Sequence, residues 1–145
     1  MATADFTIGH LARATGCKVP TIRYFEQIGL LPAPHRSPGN QRLYGAEHVA
    51  RLAFICHCRE LGFSQTAIRE LLELTDKPDR SCDAVTRIAA AHLDEVNKRL
   101  ARLTALKTEL ERMLGSCSGQ RKISDCRIVE TLADQTHQHC VSHHR

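Results

Sequence analysis

Apolar residues in the first half of the chain recur at helical spacing in short runs, each closed by a glycine. Ile8, Leu11 and Ala12 share one helix face, with Thr7 placed to cap it and Gly16 to end it. A second helix starts near Pro20, where proline is tolerated in a first turn, carries Ile22, Phe25 and Ile28, and stops at Gly29. Two short helices joined around a glycine form the helix-turn-helix pattern. Residues 31–44 then break the periodicity. Three prolines and a Pro-Gly-Asn turn predict a hairpin, with Gln41-Arg42-Leu43-Tyr44 as a short strand, and a basic hairpin after such a helix reads as a wing. A third helix is expected over 46–61, with Val49, Leu52 and Ile55 inward. A fourth, capped by Ser64, is expected over 65–74, with Ile68, Leu71 and Leu72 inward.

The second half has a different pattern. From Asp83 to Leu114 there is no Pro or Gly, and Val85, Ile88, Ala89, Val96, Leu100, Leu103, Leu106, Leu110 and Met113 recur at three-four spacing. That is a coiled-coil seam of about four heptads. A single stripe on a long helix needs a second helix to cover it. The chain offers no other of that length, so the expected partner is a second copy, making a homodimer. Gly115 ends this helix, and a small helix follows near 128–132. The predicted class is mainly α. The predicted divisions are a winged helix-turn-helix head over 5–75, a linker over 76–82, a dimerisation helix over 83–114, a metal-binding loop and short helix over 115–134, and a His/Cys-rich tail over 135–145, expected to be mobile.

Composition narrows the class. At 42% hydrophobic residues the 145-residue chain is globular, and no apolar run reaches bilayer length, so no membrane association is expected. The first residues lack the basic start and apolar stretch of a secretory signal. A cytoplasmic location follows, where thiols stay reduced, and the seven cysteines read as metal ligands or core residues rather than disulfides. Residues 1–60 hold seven Lys and Arg against four acids, while the remainder is nearly neutral. A basic head suits a polyanionic partner. On the second helix, Thr21, Arg23 and Tyr24 lie opposite the apolar face. Arginine can pair with phosphate or fork onto guanine, and the hydroxyls can donate to phosphate. In the wing, Arg36, Asn40, Arg42 and Tyr44 could grip the flanking backbone. The competing reading is a solvated basic face with a tyrosine packed on the core.

Several stretches together resemble the MerR family of transcription regulators: Thr7-Ile-Gly-His-Leu-Ala, Thr21-Ile-Arg-Tyr-Phe-Glu, Gly29-Leu-Leu-Pro, Gly39-Asn-Gln-Arg-Leu-Tyr and Leu61-Gly-Phe-Ser. The match runs almost continuously over the first 75 residues and extends through the long helix. The resemblance implies a winged helix-turn-helix head and an antiparallel coiled-coil dimer. It also implies binding to a palindromic double-stranded promoter with an overlong spacer, and control of RNA polymerase by effector-driven DNA distortion. By position, Arg23, Tyr24, Arg42 and Tyr44 match the family's DNA-contacting residues. Two positions depart from it: His10 replaces the usual Glu, and Phe25 lacks the hydroxyl many members carry there.

Cysteines flank the long helix. Cys82 precedes it, Cys117 follows it and Cys126 closes the next loop. A helix over 83–114 rises about 48 Å at 1.5 Å per residue, so Cys82 and Cys117 of one chain cannot share an ion. In the antiparallel dimer that the resemblance implies, Cys82 of one subunit meets Cys117 and Cys126 of the other. Three thiolates with no interposed histidine suit lead, cadmium or mercury. Zinc usually takes a fourth ligand, which water, Asp125 or a tail residue would have to supply. The Cys82, Cys117 and Cys126 set resembles the lead- and cadmium-responsive branch, and mercury sensors share the arrangement. A divalent heavy-metal ion is therefore the expected effector. Cys56 and Cys58 diverge around a helix and read as core or half-buried, and Cys17, in the turn of the DNA-binding motif, reads as structural. His92 with His137, His139, Cys140, His143 and His144 forms a candidate second metal site, weighed against incidental tail histidines. The alternative function is a cytosolic metal-buffering or storage protein, which leaves the wing and recognition helix without a purpose. An iron–sulfur sensor needs four clustered cysteines, and no nucleophile–base motif suggests an enzyme.

Overall fold

The computed structural model describes residues 5–134. The chain divides into two compact units, one through Ile88 and one from Ala89. The first contains four helices and a hairpin in the order expected: α1 (Ile8–Thr15), α2 (Val19–Gln27), β1 (His35–Arg36), β2 (Arg42–Leu43), α3 (Ala46–Glu60) and α4 (Gln65–Thr75). Thr7 caps α1, its side chain accepting from the His10 N–H at 3.3 Å, and Gly16 closes the helix in the left-handed region. Ser64 caps α4 in the same way, through the Ala67 N–H at 3.1 Å.

The end of α2 is held more firmly than its sequence suggests. Gly29 adopts φ 76°, which turns the chain so that the Leu30 and Leu31 N–H groups donate to the Phe25 carbonyl and both leucine side chains are buried. Two arginines then clasp the exit: Arg69 of α4 donates to the Ile28 carbonyl at 2.7 Å, and Arg51 of α3 donates to the Leu30 carbonyl at 2.8 Å. These groups would otherwise be unpaired carbonyls at a helix end. The helix that presents Thr21, Arg23 and Tyr24 is therefore fixed to both supporting helices.

The wing is an antiparallel pair, His35 opposite Leu43 and Arg36 opposite Arg42. The Ser37 N–H donates to the Gln41 carbonyl and the Asn40 N–H to the Ser37 carbonyl, each at 2.8 Å. Asn40 sits at φ 65°, so the loop is a three-residue connection whose last residue is left-handed. Asparagine tolerates that conformation better than most side chains.

Leu11, Ile22, Phe25, Leu30, Leu31, Leu52, Ile55 and Ile68 form the buried core, with α3 packed on α1 and α4. Tyr44 belongs to this core and not to the surface. It has no exposed area, its hydroxyl is hydrogen-bonded to Glu26, and its backbone pairs with Phe6. The expectation that it grips DNA backbone is corrected here: a ring sealed between the wing and the helices cannot present its hydroxyl to a phosphate. Burial, followed by the neighbouring Glu26 carboxylate, raises the Tyr44 hydroxyl well above its ordinary range.

Beyond residue 75 the chain turns through 76–82 into α5 (Asp83–Gly115), 33 residues long and uninterrupted. Ile88 in its second turn packs against the head's core, so the head's compact unit takes in the first residues of α5. In the second unit Val96, Leu100, Leu103, Leu106 and Leu110 are all more than 40% exposed, while Met113 is buried. A 3₁₀ turn (Ile123–Asp125) and α6 (Arg127–Ala133) follow. No helix among the described residues is long and apolar enough to cross a membrane.

Candidate nucleic-acid interface and metal centre

The exposed face of the head has a floor and two walls. α2 supplies Arg23, the wing supplies Arg36, Asn40, Gln41 and Arg42, and the start of α1 supplies Thr7 and Ile8, around an open cleft of about 290 Å³. Three arginines line it and no carboxylate does. The first turn of α1 carries no acid either, so the partial positive charge of that helix end is not offset there. Such a cleft favours a phosphate. Arg36 is steadied by the Asn40 carbonyl at 3.2 Å and the Asn40 Oδ1 at 3.3 Å, which leaves Asn40 shaping the turn and orienting an arginine. Thr21 is half-buried on α2. Tyr24 is 47% exposed, and its hydroxyl donates to Gln65 Oε1 at 3.3 Å, linking the recognition helix to the first turn of α4.

Six of the seven predicted DNA-facing residues thus lie on the outside of the head, and four of them line one cleft. Thr7, Ile8 and Gln41 join them without having been singled out. Thr7 was legible as a helix cap, but not as the wall of an anion site. The two departures from the family pattern also have physical places. His10 stacks on Phe6 with ring centroids 4.6 Å apart, and Phe25 is buried with the Arg59 guanidinium 5.3 Å above its ring. A hydroxyl at Phe25 is not needed for packing.

The described cysteines fall into two sets. Cys17 and Cys58 are buried in the head and Cys56 is half-buried. Burial raises Cys58, and burial together with the Cys56 thiol pushes Cys17 up to about 12, so both head thiols stay protonated at neutral pH. The other set is suited to a metal. Cys117 follows α5, Cys126 caps α6, and their Sγ atoms are 3.9 Å apart. The backbone N–H groups of Val129 and Ile128 at the start of α6 lower the Cys126 thiol below its ordinary range, with a further contribution from Cys117. Cys82 is exposed at the start of α5, where its carbonyl accepts from the Thr86 N–H at 2.9 Å. Among the described residues no three metal-ligating side chains cluster within one chain. His92 is half-buried on α5, while its candidate co-ligands His137, His139, Cys140, His143 and His144 lie outside the described residues.

A winged helix-turn-helix head with an arginine-lined cleft defines a DNA-binding protein. Residues 6–75 match the model of the MerR HTH family regulatory protein, and residues 49–113 match that of MerR, DNA binding. The chain is 45% identical to the HTH-type transcriptional regulator ZntR homolog of Haemophilus influenzae, over 71% of this chain and 76% of that one. It is 35% identical to the HTH-type transcriptional regulator CueR of Vibrio cholerae, over 95% and 96%. The crystal structure of the transcription regulator PbrR691 from Ralstonia metallidurans CH34 in complex with lead(II) superposes with a TM-score of 0.78 at 39% identity, covering 88% of this chain and 98% of that one. The chain belongs to the MerR family of helix-turn-helix regulatory proteins; it is a metal-responsive transcription regulator, not an enzyme.

Proposed function

We propose that the chain is a dimeric activator whose effector is a soft divalent heavy metal, lead or cadmium before mercury or zinc. The ion is held by Cys82 of one subunit and by Cys117 and Cys126 of the other. The observation that carries this reading is the Cys117–Cys126 pair, 3.9 Å apart, with one thiol already lowered and no third ligand beside it among the described residues of the same chain. Two thiolates leave a divalent ion under-coordinated, and a third from a partner gives the low-coordinate all-sulfur set that soft ions prefer. Support for the dimer comes from the row of leucines on α5, more than half exposed at Leu100 and Leu103. Support for lead comes from the lead-bound relative PbrR691. Buffering or storage is the weaker reading, since it gives no role to the arginine cleft.

On this reading the dimer sits on a palindromic promoter with Arg23, Arg36 and Arg42 on phosphates or base edges. Metal closing the site between subunits changes the spacing of the two heads, and the distorted DNA becomes usable by RNA polymerase, in the cytoplasm where the promoter is. His92 and the tail residues from His137 to His144 supply a second, accessory metal site.

The test is a promoter reporter read against a dose series of lead, cadmium, zinc and mercury. Cys82→Ser, Cys117→Ser and Cys126→Ser should each abolish induction while promoter binding persists. Normal induction in any one of them removes that residue from the ligand set. Truncation after residue 135 should lower the metal stoichiometry of the dimer but leave induction intact.

A further inference from the structure

The sulfurs of Cys117 and Cys126 are in direct contact at 3.9 Å. Each backbone is pinned by a helix end. Cys117 follows the last turn of α5, its N–H donating to the Leu114 carbonyl at 3.4 Å. Cys126 opens α6, its N–H donating to the Ile123 carbonyl at 3.1 Å and its carbonyl accepting from the Glu130 N–H at 3.0 Å. The stretch between them turns at Gly119, which adopts φ 73°. Two helix ends thus bring two half-buried thiols together within one chain. A disulfide bond is about 2.05 Å long, so closing one asks the sulfurs to approach by about 2 Å, within the reach of side-chain rotation. Cys82 is placed differently: it is exposed, precedes the other end of α5 and belongs to the other compact unit.

We propose that Cys117 and Cys126 form an oxidisable dithiol, closed to an intramolecular disulfide by peroxide-class oxidants. One sulfur, as its thiolate, attacks a peroxide oxygen. The O–O bond breaks, a sulfenic acid forms, and the departing hydroxide takes up the proton that the thiol released. The second sulfur attacks the sulfenic sulfur. The S–O bond breaks, and the hydroxide leaves as water with the second thiol's proton. In balance, two thiols and one hydrogen peroxide give one disulfide and two waters, the thiols oxidised and the peroxide reduced. The bond engages both sulfurs, and neither remains a thiolate able to ligate an ion. Metal and oxidant therefore compete for one pair of atoms: a bound ion shields the pair, and the disulfide blinds it to metal until a thiol reductant reopens it. This competition rests on the metal assignment proposed above; formation of the bond does not.

The experiment uses the full-length reduced, metal-free protein, treated with hydrogen peroxide, alkylated, and digested with trypsin without reductant. Cys117 lies in the peptide 113–121, Cys126 in 123–127 and Cys82 in 81–87. The expected result is 113–121 linked to 123–127, lighter by two hydrogens than the sum of the parts, with the undigested protein running as one chain on a non-reducing gel. Dithiothreitol should restore both alkylatable thiols, and Cys126→Ser should leave 113–121 unlinked. The proposal is overturned if both peptides stay unlinked while peroxide takes either cysteine to a sulfinic acid, if either links to 81–87 or another cysteine peptide instead, or if the link joins two chains. A parallel sample loaded with cadmium before peroxide separates the two readings. Protection of the pair supports both, whereas the same link formed at the same rate with cadmium present upholds the dithiol and removes the metal assignment.

Discussion

Tyr44→Phe keeps a ring that has no exposed surface and removes only the hydroxyl bonded to Glu26. A hydrogen bond to a charged group contributes about 1.5–3 kcal/mol, and its loss also leaves the half-buried Glu26 carboxylate without that donor. At 1.36 kcal/mol per factor of ten, the unfolded fraction should rise about 10- to 100-fold. Urea denaturation followed by circular dichroism measures this, at one fixed protein concentration because folding of a dimer depends on it. Promoter titration over a range of salt provides the second axis. Each lost phosphate contact lowers the slope of log K against log salt by about 1. Tyr44 in the core predicts reduced stability with an unchanged slope. Unchanged stability with a slope smaller by about 1 would refute the reasoning and return the hydroxyl to the DNA surface.

Arg23→Ala and Arg42→Ala should each weaken promoter binding and reduce the salt slope by about 1, because both line the cleft without a carboxylate beside them. Iodoacetamide at pH 7 should label Cys126 of the metal-free protein much faster than Cys17, because the N–H groups at the start of α6 lower the first thiol while burial pushes the second up to about 12; comparable rates, read by mass spectrometry, would contradict the assigned environments. Leu103→Glu puts a charge on a residue that is 62% exposed in the single chain, so it should spare the folded head yet convert the dimer to monomer in sedimentation velocity. A dimer that persists in that variant would place the interface elsewhere.

Much of this was legible in the sequence, for reasons that differ by element. Two helices of the head carry their own starts, α1 in the Thr7 cap and α4 in the Ser64 cap, and Gly16 ends α1, so local chemistry sets these limits. The long helix is legible from periodicity alone. Tyr44 was not legible. It lies one residue beyond β2, where pairing with Phe6 governs its direction, and strand alternation from Arg42 does not predict its burial. The arginine clasp was equally hidden, since Arg69 reaches across 41 positions to Ile28 and Arg51 across 21 to Leu30. The cleft gathers Thr7, Arg23 and Arg42 from three elements, and nothing in their spacing shows it.

The Cys117–Cys126 pair has a consequence in genetics. If each ion is shared between Cys82 of one subunit and that pair of the other, two inactive alleles need not be inactive together. A subunit with Cys82→Ser paired with one carrying Cys117→Ser has one ruined site, lacking both contributions, and one site with every ligand intact. Cells expressing both variants should regain partial induction, at about half the metal per dimer, although either variant alone gives none. A site confined within one chain allows no such complementation.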